Sequence, residues 1–525
     1  MSRRYRFIVL VLLVHLTACS RIGDFGNVLH RATETPLATR SLPATYTPTA
    51  SPTAIPSIPA TPTISEHTQQ SALLPEFVSD ADVFPDATRY DIELDVDFQP
   101  GSTEAHIEGF ARIRYVNPLE KNLSNIVLML WPNDEQYQAQ MQAGTAMIDG
   151  ELTIPQAIMD GKALRIDLRP SLAGGESVDL TIPFSLEVDS FHEGSPRRMG
   201  ITEGVLLAPT FYPMIPRLVD GEWDAIDAPS AGDTTSSETA FYAVNITTPV
   251  GQIVVATGVE ISSTTTPDGK QRFEYISGPV RDFAFAIGQW EKTSGTSGEV
   301  TLNVWALPQH AASAQTALRA ARIQVNLLSE IVGPYPYPEL DLVDAPYAFG
   351  GIEYPGLVFI GTMGTDWVTV PTVHEVAHQW FYALLGNDQI REPWLDEAMA
   401  SFAEALYYER AYGLGQGTGY LSDIRARLRA VPDATQPIGL AVGEYASESD
   451  YFIFVYQKGT LFLEALRNKL GTNRFNDFLA AVYAQYRYGF MHAEEFQNAA
   501  EAVCACDLQD FFDLWVYEGG EIFPP

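Results

Sequence analysis

Cysteine is nearly absent from this chain. Its 525 residues include three, Cys19, Cys504 and Cys506, too few for a disulfide framework or a thiolate metal site. Any bound metal must therefore be held by imidazole and carboxylate. Cys504 and Cys506 are separated by a single residue; two buried thiols are expected there, with a redox pair as the alternative. Basic side chains are also scarce, 32 Lys and Arg against 66 Asp and Glu, for a net charge of −34. That balance argues against nucleic acid, whose phosphates require a lysine and arginine surface, and against electrostatic docking on anionic lipid. It is the balance of a soluble acidic surface. Long apolar runs are missing too, and no segment has the length of a membrane-spanning helix.

The longest apolar stretch lies at the start. Arg3, Arg4 and Arg6 precede the run Phe7–Leu16, and Leu16-Thr17-Ala18-Cys19 follows. The run is too short to cross a bilayer and has the form of an export signal. Its ending resembles a bacterial lipoprotein cleavage box, in which the cysteine becomes the lipidated first residue. Residues 1–19 are expected to be a lipoprotein signal peptide, with Cys19 the lipidation site and the protein exported to the cell surface or periplasm. Residues 20–79 follow as a Thr-, Pro- and Ser-rich linker, with Thr-Pro pairs at Thr35-Pro36, Thr47-Pro48 and Thr61-Pro62. Proline stiffens such a segment and its small polar residues keep it in water, so it reads as a tether.

Ordered structure is expected from residue 80. Apolar residues alternate with polar ones over Arg89–Phe98, again at Leu164, Ile166 and Leu168, from Val178 to Val188, and around Phe241–Ile246 and Phe273–Tyr275. This is the period of half-buried strands. Asp220-Gly221 and Asp268-Gly269 are turn signals. Residues 80–295 thus read as a β-sandwich-like domain. The texture then changes. An alanine- and leucine-rich run over Ala311–Val332 ends at Gly333-Pro334, as a helix would. Helical segments are expected at 371–385, 394–412, 456–470, 473–486 and 492–502, so 296–525 is a mainly helical domain and the chain is of the α+β class.

The helical domain holds the sharpest motif, His374-Glu375-Val376-Ala377-His378. Residues four apart share a helix face, so both imidazoles can reach one cation, and Glu375 can reach a water beside it. Eighteen residues separate His378 from Glu397, which opens a second helical run within Trp394-Leu395-Asp396-Glu397. The Gly386–Pro393 turn lets that helix fold back, and Glu397 completes a His, His, Glu set with a fourth position open, as in catalytic zinc sites. The expected cofactor is one Zn2+ per chain. The bland alternative, two core histidines and a solvated helix-start carboxylate, explains each residue singly but not their common spacing.

These residues resemble the zinc motif of the aminopeptidase N and leukotriene-hydrolase family of gluzincin peptidases, a likeness that covers residues from about 80 to 525, with Leu508–Tyr517 resembling the end of the catalytic domain. Tyr456-Gln457-Lys458-Gly459 is similar to the family's Tyr-Glu-Lys-Gly, whose tyrosine donates to the transition-state oxyanion. Tyr451 matches a second active-site tyrosine, and Gly350-Gly351-Ile352-Glu353-Tyr354 resembles the Gly-x-Met-Glu-Asn motif, whose glutamate binds the substrate's α-amine. The resemblance implies a thermolysin-like catalytic domain, peptide substrates, catalytic roles for Glu375 and Tyr456, and substrate binding by Glu353, Gly350, Gly351 and Tyr451. It leaves the oligomeric state open. Ile352 and Tyr354 depart from the motif. The resemblance also implies a second amine-binding residue from the β domain; the candidate region, Ala208–Pro216, offers Tyr212 and Pro213 but no carboxylate. Two rival readings stand: an endopeptidase or other amide hydrolase indifferent to a free amine, and a zinc-binding surface lipoprotein without turnover.

The reading of the N-terminus has a direct test. Cys19→Ser should shift the protein from the membrane fraction to the soluble fraction; a variant that stays membrane-bound removes the lipid anchor from consideration.

Overall fold

The computed structural model describes residues 69–523 apart from 193–197, 230, 236 and 347–349. The expected signal peptide, Cys19 and most of the linker lie outside the described residues. Among those described, no helix is long and apolar enough to cross a membrane. Residues from His67 onward form one compact unit. Packing begins earlier than residue 80, because Leu73, Leu74 and Phe77 are buried.

The N-terminal half is built of sheets. Strands β1 (Arg89–Asp97), β2 (Glu104–Val116), β3 (Ser177–Asp189), β4 (Phe241–Thr248) and β5 (Gln271–Ile276) lie in a nine-stranded sheet. β1 pairs antiparallel with β2 and parallel with β4. The alternation read from the sequence is the alternation of burial: Tyr90, Ile92, Leu94 and Val96 of β1 are buried, as are Val178, Leu180, Ile182, Phe184, Leu186 and Val188 of β3. A strand exposes successive side chains to opposite faces, so one face enters the core. A three-stranded and a four-stranded sheet add to it. The four-stranded sheet carries Val205–Pro209 and Ala284–Gly288, both buried throughout. Val205, Leu207, Ala284 and Ala286 share an apolar cluster with Val343, Ile352, Leu357 and Phe359, which fastens the β half to the next sheet.

That next sheet is mixed, with β6 (Glu291–Ser297), β7 (Val300–Ala306), β8 (Glu339–Asp344), β9 (Gly351–Tyr354) and β10 (Leu357–Ile360) in the order β6-β7-β8-β10-β9. The domain boundary expected at 295/296 falls inside β6, which pairs along its length with β7; the architecture changes before it. β7 and β8 are parallel, and their crossover is α1 (Ala311–Ile331). β9 is an edge strand, antiparallel to β10.

The helices then follow as α2 (Thr369–Ala377), α3 (Trp394–Tyr412), α4 (Leu414–Leu428), α5 (Gly459–Leu470), α6 (Thr472–Tyr486) and α7 (Ala493–Cys504). Three expectations are corrected. First, the helix expected over 371–385 stops at Ala377. Past His378 the chain is claimed from outside: the Arg281 Nε donates to the Tyr382 carbonyl at 2.8 Å and Trp380 Nε1 to the Gly333 carbonyl at 2.7 Å. Tyr382 takes φ +136°, which a helix cannot contain. Gly386 makes room for the buried guanidinium, since a Cβ there would lie 2.0 Å from Arg281 Cζ. Second, α4 was not anticipated. Gly415, Gly417 and Gly419 mask its helical pattern, because glycine is a poor helix former. Gly417 is needed for contact: a Cβ would sit 2.9 Å from the Ala405 carbonyl oxygen on α3. Third, Cys504 and Cys506 are neither buried nor free. They form a disulfide at the end of α7, where Ala505 turns into the left-handed region at φ +53°. Tyr456 lies outside regular α-helix as well, in the π-helical segment Phe452–Lys458 that leads into α5.

Candidate metal centre and active site

α2 and α3 place two imidazoles and one carboxylate at a common point. His374 Nε2 lies 3.0 Å from Glu397 Oε2 and 3.1 Å from His378 Nε2, and His378 Nε2 lies 3.3 Å from Glu397 Oε2. The remaining nitrogens are engaged. His374 Nδ1 meets Glu404 Oε1 at 2.8 Å and His378 Nδ1 meets the Phe381 carbonyl at 2.9 Å. A carbonyl only accepts, so His378 Nδ1 carries the hydrogen and its Nε2 presents a lone pair. Glu404 fixes His374 in the same way. Two lone pairs and a carboxylate oxygen then face one another in a buried space, an arrangement that a cation satisfies. Four ligands held tetrahedrally at about 2.0–2.1 Å would be separated by roughly 3.3–3.4 Å, close to the distances found. The donor set therefore fits zinc, and His374, His378 and Glu397 are the residues that would hold it.

The surroundings are strongly acidic and dry. Glu353, Glu375, Asp396 and Glu397 are all buried. Against burial, and without a cation, the same acids raise both imidazoles, His374 to about 10; burial alone would raise Glu397, but His378 and His374, then protonated, hold its carboxyl well below the usual range. Burial pushes Glu375 up to about 7 against the pull of the same imidazoles. Burial, then the charge of Asp233, raises Glu353 well above its ordinary value. Asp396 is pushed up to about 8, first by burial and then by Glu397. So many acids gathered out of water keep protons or recruit cations.

The other expected residues converge here. Glu353, Glu375 and His378 each offer an atom within 4.8 Å of the others. Glu353 is carried by the edge strand β9 and meets Gln389 Nε2 at 3.2 Å, which also donates to Asp396 at 3.0 Å. Gly351 is required by its neighbour, since a Cβ would lie 2.5 Å from Glu375 Cγ; Gly350 has more room, with Pro371 3.5 Å from its Cβ position. The Tyr456 hydroxyl donates to Glu397 Oε1 at 2.5 Å, and its ring stacks on His374 at 5.8 Å. Burial and the charge of Glu397 raise Tyr456 well above its ordinary value, so it remains a donor. Tyr451 stands edge-on to Tyr456, with ring centres 5.7 Å apart.

Residues missed in the sequence are Glu404, Gln389 and Asp233. Glu404 lies seven positions after Glu397, two turns along one helix face, and that spacing could have found it. Asp233 had no such signal. It lies in an irregular segment of the β half, paired with Arg198 Nη2 at 2.7 Å, and its charge bears on Glu353, Glu375, Asp396, Tyr451 and Tyr456. Gly232, at φ +71°, lets this segment approach the Tyr451 hydroxyl, 3.0 Å from where a Cβ would stand. Ala208–Pro216, the expected place for a second amine-binding residue, supplies no carboxylate but adjoins this segment: the Tyr137 hydroxyl lies 2.9 Å from Thr210 Oγ1 and 3.3 Å from Thr234 Oγ1, while Tyr212 is buried in the β core and donates to Tyr242.

Residues 322–515 match the peptidase family M1 domain. Over these residues the chain is similar to the M1 peptidase domain. The M1 match contains His374, His378, Glu397 and Glu375. Similarity to curated relatives is partial. The chain is 27% identical over 256 residues to aminopeptidase M1-B of Oryza sativa subsp. japonica, covering 45% of this chain and 29% of the relative. It is 26% identical over 311 residues to aminopeptidase RNPEPL1 of Mus musculus, covering 55% and 42%. It thus spans less than half the length of these relatives. The fold matches more completely. An M1 zinc metallopeptidase from Deinococcus radiodurans superposes with a TM-score of 0.64 at 20% identity, over 84% of this chain and 94% of that one. A mutant of that protein bound to a Tyr-Ser-Ala substrate gives 0.63 at 20% identity, over 84% and 95%. The two-part α+β architecture is that of the M1 metallopeptidases.

A cation that binds the folded site and not the unfolded chain raises stability by mass action. Adding Zn2+ to the chelator-treated protein should raise its thermal unfolding midpoint, and Glu397→Ala or His378→Ala should abolish the rise. An equal rise in both variants would place the cation somewhere else.

Proposed function

We propose that the chain is a zinc-dependent metallopeptidase that removes N-terminal residues from peptides. The observation that carries this reading is the meeting of two acid sets at His378: the cation-holding trio on one side, and Glu375 with Glu353 on the other. The aminopeptidase names of the relatives and the peptide-bound neighbour support it.

One zinc per chain is held by His374, His378 and Glu397, and when bound it supplies Lewis-acid activation of water and of the scissile carbonyl. Glu375 takes the proton of the attacking water and passes it to the leaving amine. Tyr456 rests on Glu397 in the free site and turns its hydroxyl to the carbonyl oxygen as negative charge develops there. Glu353, at the sheet edge, pairs with the α-ammonium of the substrate. Its burial makes such pairing strong, because an unpartnered carboxylate in this space is costly. Gly350 and Gly351 keep the edge of β9 clear for the substrate backbone, and Tyr451 flanks Tyr456. Gln389 fixes Glu353 from behind. The protein is held at the cell surface or periplasmic face of a membrane through lipid on Cys19.

A peptide with a free N-terminus and its N-acetylated twin, each with and without chelator, separate the readings. Chelator-sensitive trimming of the free peptide alone is expected. Cleavage of both peptides would keep the zinc hydrolase and discard the amine reader, whereas zinc uptake with cleavage of neither would favour a binding protein. Within the enzyme, Glu375→Gln should keep zinc and lose at least about 100-fold in kcat. Tyr456→Phe should lower kcat by on the order of 100-fold with little change in KM, since its contact is made only in the transition state. An unchanged kcat would return Tyr456 to the core.

A further inference from the structure

The reaction described above gives no role to Glu404 or Tyr420. Glu404 is buried on α3, and its two oxygens are spent in opposite directions. Oε1 accepts from His374 Nδ1 at 2.8 Å; Oε2 accepts from the Tyr420 hydroxyl of α4. An unbroken line thus runs from α4 through Glu404 and His374 to the metal position. We propose that Tyr420, acting through Glu404, is a positioning residue that sets how tightly His374 holds zinc. This rests on the metallopeptidase reading.

The physical case has three parts. A carboxylate at Nδ1 fixes the tautomer that turns Nε2 to the metal, orients the ring and makes the imidazole a stronger donor. A carboxylate can also turn about its last bond. Tyr420 ties the second oxygen, so Oε1 stays aligned with the ring, and each hydrogen bond in such a buried chain strengthens the next. The tyrosine is itself well placed. Its ring stacks on Tyr408 of α3 with centres 5.0 Å apart. α4 lies close against α3 because Gly417 has no side chain to intrude on Ala405. Arg425, one turn beyond Tyr420, pairs with Glu464 of α5 and anchors the same helix from its far side. The plain alternative is that Tyr420 fills space and happens to satisfy its hydroxyl. That reading predicts no effect on zinc.

The test is the zinc dissociation constant of the full chain, measured by competition with a chromophoric chelator near neutral pH. The thermal midpoint of the zinc-free protein reports the fold. Tyr420→Phe keeps the ring and its stacking but removes the donor; it should weaken zinc binding roughly 3- to 10-fold with the zinc-free midpoint unchanged. Glu404→Gln should weaken it by about 10- to 100-fold. Arg425→Met loosens α4 without touching Glu404 and should leave zinc affinity as it was. Parent-like affinity in Tyr420→Phe would overturn the proposal, as would an equal loss in Arg425→Met, which would make the effect one of general packing. An unsubstituted chain that takes up no zinc would instead sink the metallopeptidase reading, and this inference with it.

Discussion

The structure depends on one constraint: two imidazoles and a group of carboxylates are held together out of water. A lone buried charge costs several kcal/mol, so every member of the group must answer to another. His374 is held between Glu397 and Glu404. His378 is tied to the Phe381 carbonyl and faces Glu397. Asp396 and Glu353 share Gln389, and Asp233 is answered by Arg198. The space that these pairings leave at the centre, between two Nε2 atoms and one carboxylate oxygen, is the space a dication fills. The capacity to hold a cation and the packing of the fold therefore draw on the same electrostatics, and the acids that would be poor core residues alone become a site together.

The scaffold is arranged to deliver those groups. α2 must end at His378, because the following turn sends the Phe381 carbonyl back to His378 Nδ1. The turn is set by Arg281, a residue of the β half whose guanidinium is wholly buried against the Tyr382 carbonyl. Thus the sheet-rich half does more than stand beside the helical half. It fixes the end of the metal-binding helix through Arg281, supplies Asp233 to the acid group, and is sealed to β8, β9 and β10 by a common apolar cluster. Gly351 and Gly386 have the same local meaning in different places. At each, a neighbouring charged side chain occupies the volume where a Cβ would be.

Most of the architecture was legible in the chain. Period-two alternation marked β1, β3, β4 and β5, and apolar runs marked α1, α3, α5, α6 and α7, because packing against one core leaves a periodic trace. What escaped was masked or imposed from a distance. α4 carries three glycines whose purpose, at Gly417, is close approach to α3. The early end of α2 is imposed by Arg281, about a hundred residues away in sequence. The bridge between Cys504 and Cys506 follows from the left-handed turn at Ala505, which the residue type does not announce.

The site divides along the same line. The chain alone pointed to the cluster of His374, His378 and Glu397, which the structure brings together, since a four-residue helical repeat and a second helix eighteen residues on leave few arrangements for them. It also determined that no thiolate ligand was available. Which further acids enter the site is set by the packing of distant elements. Glu404 is chosen by its height on α3 relative to His374 on another helix, and Asp233 by the path of an irregular segment of the β half. Such choices depend on how separate elements pack, and packing between distant segments leaves no spacing in the chain to be read.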